Sequence, residues 1–139
     1  MKKCVFLILL VSGLTGFLSA QISPAAPHGG ALKTADNYKV EMVDCYEYVE
    51  VYLYELDMRP ILNVGFSGQI DFYFPNKDYY SSKLYYYGVD AFTAEVKQHC
   101  YTGCSVNLHG VGVTIKADFS SFGDVDEDCK PPNKSQTHN

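Results

Sequence analysis

Between residues 38 and 119 the chain keeps returning to strict alternation of apolar and polar residues, and this period of two is what most restricts its fold. Tyr38, Val40 and Met42 alternate with Lys39 and Glu41. Val49, Val51 and Leu53 alternate with Tyr46, Tyr48, Glu50, Tyr52 and Tyr54. Phe66, Gly68, Ile70, Phe72 and Phe74 are set against Ser67, Gln69, Asp71 and Tyr73; Val111, Val113, Ile115, Ala117 and Phe119 are set against Gly112, Thr114, Lys116 and Asp118. Successive side chains of a strand point to opposite faces, so each run predicts a strand with one buried face. Shorter strands are predicted at 31–34, 84–87, 91–96 and 104–108. Turn residues Pro60, Pro75, Asn76, Gly88 and Gly110 separate them. No helical stripe competes. Seven or eight short strands with apolar faces predict an all-β fold, a single small antiparallel β-sandwich with Ig-like architecture spanning 31–119.

Residues 1–20 carry Lys2 and Lys3, an apolar run and a small-residue end at Ser19 and Ala20, the pattern of a cleaved secretory signal. The expected mature chain is 21–139, with an N-terminal extension at 21–30 and a mobile acidic and polar tail at 120–139. Its expected location is periplasmic or extracellular. The whole chain has net charge −5, and loss of the two leader lysines takes it to −7. Such a chain is not expected to bind nucleic acid, and with no second long apolar run no membrane span is expected in the mature protein.

Four cysteines follow the leader: Cys45, Cys100, Cys104 and Cys129. An even count in an oxidising compartment favours disulfides. Cys104 shares strand parity with Val106 and Leu108, and Cys45 shares it with Val49 and Val51. A Cys45–Cys104 bridge across the core is therefore expected, leaving Cys100 to pair with Cys129. If the thiols are oxidised, a metal must rest on other groups. The candidates are His28 at the amino end and His99 and His109 around the segment "HCYTGC", with Met42 or Met58 in reserve, and copper or zinc as the ion such a set would suit. In the tail, Asp124, Asp126 and Asp128 are spaced like the start of a calcium loop, but the glycine and glutamate positions of that loop are Cys129 and Ser135.

Tyrosine is the compositional surprise, 12 in the chain, with Tyr79, Tyr80, Tyr85, Tyr86 and Tyr87 clustered around "DYYSSKLYYYG" and four more on a single strand face. Tyr46, Tyr48, Tyr52 and Tyr54 share one strand face, which could meet a glycan or an envelope protein. There is no nucleophile elbow, zinc-protease helix or close carboxylate pair, so the chain is expected not to be an enzyme.

The segment "APHGGALKTADNYKVEMV", continued by "VEVYLYELDMRPILN" and "GFSGQIDFYF", resembles a small class of exported proteins that open with Pro-His-Gly-Gly. That motif is also related to the opening of periplasmic adaptor subunits of heavy-metal efflux pumps. The resemblance covers 27–74 and implies a role near metal handling outside the cytoplasm, with His28 at the matching position and metal-efflux or envelope proteins as partners. The chain departs from the adaptors in having neither a helical hairpin nor a lipoyl-like segment.

Overall fold

A computed structural model describes residues 25–110 and 112–120. Eight antiparallel strands run as β1 (Ala31–Ala35), β2 (Tyr38–Asp44), β3 (Tyr48–Glu55), β4 (Phe66–Tyr73), β5 (Tyr79–Tyr87), β6 (Ala91–Glu95), β7 (Gly103–Gly110) and β8 (Val113–Ser120). No described residue is helical. None of the described residues therefore forms a helix long and apolar enough to cross a membrane.

The architecture differs from the expected sandwich. All eight strands belong to one hydrogen-bonded sheet in the order β1-β2-β3-β6-β5-β4-β7-β8. Its two ends, β1 and β8, lie against each other, so the sheet curls into a nearly closed barrel. The reason lies in β5, which serves two neighbours at different points along its length. Residues Tyr79 to Leu84 pair with β4, whereas Tyr85 to Tyr87 pair with β6. A strand that changes partner in this way joins what would otherwise be two separate sheets. Alternation announces one buried face per strand and is silent on how strands close.

The predicted inward residues do form the core. Val40, Met42, Val49, Val51, Leu53, Ile70, Phe72, Val106, Leu108 and Ile115 are all buried in one cluster, joined by Phe92, to which the sequence assigned no face. A smaller apolar cluster lies outside the barrel, where Tyr52, Tyr54 and Ala91 pack with Leu32, Val43 and Met58. Tyr52 and Tyr54 thus keep the outward face that their parity assigns but are covered there.

The cysteine pairing is also corrected. Cys45 and Cys104 are both free thiols. Tyr46 takes a left-handed φ of 72° in the turn between β2 and β3, so parity counted back from Val49 does not carry to Cys45. The Cys104 thiol instead lies 3.1 Å from the Met42 sulfur inside the barrel, and burial pushes its pKa up to about 12. Cys100 is disulfide-bonded, and Cys129, its expected partner, lies outside the described residues. The signal segment, the calcium-like loop and nearly all of the predicted tail also lie outside them.

Candidate functional site

Two places on the barrel gather polar and aromatic groups. The first is where the chain enters β1. Glu41 points outward from β2 yet has no solvent exposure, because 28–30 fold over it. Its Oε1 accepts the backbone N–H of His28 at 2.9 Å and of Gly30 at 3.0 Å. Its Oε2 accepts the Tyr54 hydroxyl at 2.8 Å and lies 3.2 Å from His28 Nδ1. The same Nδ1 lies 3.0 Å from the Tyr54 oxygen. Tyr54 donates its proton to Glu41, so its oxygen accepts from an Nδ1–H. That leaves His28 Nε2 as the nitrogen without a described partner. The imidazole lies flat on Tyr52, with centroids 3.7 Å apart and planes 7° from parallel.

Both glycines of "HGG" are accounted for here. Gly29 has φ of 77°, a left-handed turn that brings the N–H groups of residues 28 and 30 onto one oxygen. At Gly30 a Cβ would collide with the Met42 carbonyl oxygen and come within 2.8 Å of Val43 Cγ2. Burial alone would raise the Glu41 pKa, but the hydrogen bonds from Gly30, Tyr54 and His28 outweigh it and hold the carboxyl below its ordinary range. Tyr54 is pushed up, by burial first and then by its bond to Glu41.

The second place is the seam where β5 leaves β6. Pairing between them stops at Tyr85 opposite Thr93. Beyond that point a groove of about 770 Å³ opens, lined by Tyr48, Tyr80, Ser81, Ser82, Lys83, Tyr85, Glu95 and Lys97 among others. Its edges can be read from two hydrogen bonds. Phe74 donates to the Asp78 carbonyl, which makes Tyr80, Ser82 and Leu84 the residues of β5 that bond to β4. Tyr79, Ser81 and Lys83 then turn their backbone N–H and C=O toward the groove. On the other wall Val96 donates to the Glu47 carbonyl, so Ala94 bonds to β3 and Glu95 turns its backbone into the groove. No described strand pairs with these groups. Tyr80 spans the floor, stacked on Phe72 at 5.0 Å, and its hydroxyl accepts the N–H of Lys97 at 2.9 Å.

The three candidate histidines do not meet. His28 sits on Glu41. His99 stacks on Tyr46, with centroids 4.0 Å apart, beside the β2–β3 turn. His109 lies near the far end of β7, 3.2 Å from the Thr114 hydroxyl. Among the described residues no group of three or more His, Cys, Asp or Glu is placed to hold a metal ion. Of the predicted tyrosine face, Tyr46 and Tyr48 are exposed, while Tyr52 and Tyr54 are buried. The aromatic surface continues on β5 instead, through exposed Tyr85 and Tyr87. Glu41, Ser81, Lys83 and Glu95 were not singled out by sequence, because each is an ordinary outward strand position until a covering segment or a missing partner distinguishes it.

No family model, no curated protein and no solved structure matches this chain. The likeness to the Pro-His-Gly-Gly class therefore rests on its residues alone.

Proposed function

We propose that this is an exported, non-enzymatic binding module that holds a protein or glycan ligand in the seam between β5 and β6. One observation carries the reading: the groove is bounded by strand edges with which no described strand pairs, and Tyr48 and Tyr85 stand exposed at its rim. Its volume lies within the roughly 300–1,000 Å³ of ordinary ligand sites. Tyrosine offers an apolar ring and a polar tip, which suits it to sugars and to protein partners alike. Export rests on the leader at 1–20, and amino-terminal sequencing of the secreted protein should begin at Gln21.

The binding test screens the mature protein against immobilised glycans and a random peptide library, with Tyr85→Ala beside the wild type. A ligand that binds the wild type and loses tenfold or more in affinity with the variant supports the groove. Equal binding by both proteins, or no ligand at all, removes it.

A second reading, transition-metal binding linked to copper or heavy-metal homeostasis, is favoured by the Glu41–His28 pair. A carboxylate on one imidazole nitrogen commonly orients the other toward a metal. Titration of Zn(II) and Cu(II) into wild type and His28→Ala decides it: equal uptake by the two proteins ends this reading.

A further inference from the structure

We propose that the ligand of the seam is an extended polypeptide segment, which adds a strand between β5 and β6. The inference rests on the groove being the binding site and goes on to name what fills it. Up to Tyr85 opposite Thr93 the two strands are ladder partners. Had the ladder continued, Lys83 would have met Glu95. Instead the strands part, each still held on its far side, β5 by β4 and β6 by β3.

The consequence is two facing edges inside one sheet. Tyr79, Ser81 and Lys83 offer alternating N–H and C=O groups from one wall, and Glu95 offers the same pair from the other. Such rows are complementary to the backbone of an extended peptide, the interaction that lets a bound segment join a sheet as a strand. A sugar would leave most of this regular spacing unused. An exposed edge also tends to be blunted by charge, and here Lys83 stands on it, with its ammonium 5.4 Å from the centre of the Tyr85 ring.

The walls also describe the segment. A strand lying in the seam alternates its side chains. Those directed inward meet the Tyr80 ring, Ser82, Ala94 and Val96, where small or apolar groups fit. Those directed outward pass between Lys83 and Glu95, beside the rings of Tyr48 and Tyr85. Glu47, Lys83, Glu95 and Lys97 all line the groove, and none of them has an ion-pair partner among the described residues, so the lining is balanced in charge. A segment of low net charge, with polar or oppositely charged groups beside Lys83 and Glu95, is therefore favoured over a strongly acidic or basic one.

The test uses a peptide selected from a random dodecamer display library on the mature protein, together with a panel of soluble oligosaccharides. Each backbone nitrogen of the selected peptide is methylated in turn. Added-strand binding predicts a twofold periodicity with one exception: methylation at the alternate positions that face Tyr79, Ser81 and Lys83 weakens binding tenfold or more, and of the positions between, which face β6, only the one bonded to the Glu95 carbonyl does the same. Hydrogen exchange supplies the same reading from the protein side, since the amides of Ser81, Lys83 and Glu95 should exchange rapidly when free and become protected in the complex. Ser81→Pro removes one groove-facing N–H while sparing the backbone bonds to β4; it also loses the Ser81 hydroxyl's bond to Asp71, which Ser81→Ala loses alone, so the proline variant should abolish binding and the alanine variant should not.

Uniform tolerance of methylation, unprotected amides at those three residues, or binding of oligosaccharides alone would each overturn the proposal. In those cases a loss of binding with Tyr85→Ala would still uphold the groove as the site. Ligands unaffected by Tyr85→Ala would instead show that the groove itself was the wrong place. A library that yields no binder overturns the peptide inference.

Discussion

The outer surface of β2 and β3 and the seam between β5 and β6 are made of similar material, tyrosines alternating with charged or small polar residues, yet one is sealed and the other open. Over Glu41 the segment 28–30 supplies two backbone N–H groups and an imidazole, and every polar atom beneath it is matched. Along Tyr79, Ser81 and Lys83 no described segment does the same. A tyrosine-rich strand face is therefore neither core nor contact surface by composition. What decides is whether the chain spends some of its own length covering it.

The comparison can be broken most forcefully at Glu41. Glu41→Ala leaves the N–H groups of His28 and Gly30 and the Tyr54 hydroxyl without their acceptor, and should cost about 3–5 kcal/mol of stability in urea unfolding. Groove binding by the folded fraction should persist, because the two places share no hydrogen bond.

Gly30→Ala should follow, at about 1–3 kcal/mol, since a Cβ there is driven into the backbone of Met42. Gly29→Ala meets open space but must hold φ of 77°, so about 1 kcal/mol is expected. Thermal melts of the two variants, run together, check that order.

A pH series sharpens the sealed side. The Glu41 carboxyl is held below its ordinary value of 4.5 when folded. Its stabilising contribution is therefore complete above that value and is lost as pH falls through the lower folded one. Wild type should lose stability below about pH 4.5 more steeply than Glu41→Gln, followed by denaturant midpoint.

The smallest change is expected on the open side. Tyr85→Ala removes an exposed ring and should alter stability by no more than about 0.5 kcal/mol. A larger loss would mean that the ring supports the barrel, and the contrast between the two surfaces would fail.

Much of the strand content was legible in the sequence. Seven of the eight strands lie close to where alternation and turn residues indicated, because the twofold periodicity of strand side chains is written into the order of residues; β5 was expected only from Leu84 and begins at Tyr79, since the polar run Tyr79 to Lys83 shows no apolar alternation. Closure was not legible, since nothing local to Tyr85 says that β5 changes partner there. His28 was visible as a histidine before two glycines, whereas its acceptor Glu41, thirteen residues on, looked like any outward strand carboxylate. The Cys45–Cys104 expectation failed at one residue: the left-handed turn at Tyr46 resets the parity on which it was counted.

The double allegiance of β5 also orders the steps by which the chain must assemble. In the strand order β3-β6-β5-β4-β7 the consecutive strands β4, β5 and β6 form a local meander lodged between partners that lie far away along the chain. Short connections favour that meander as an early unit, after which β6 must find β3 and β4 must find β7. Each of those encounters closes a long loop before any contact repays the lost entropy, the feature that puts such β topologies in the millisecond-to-second range of folding times. Until β7 and β8 arrive, the free edge of β4 is bare. For a chain emerging amino end first, the last two strands therefore act as its protection against pairing with a neighbour, and a truncation before Gly103 should aggregate rather than remain a smaller soluble domain.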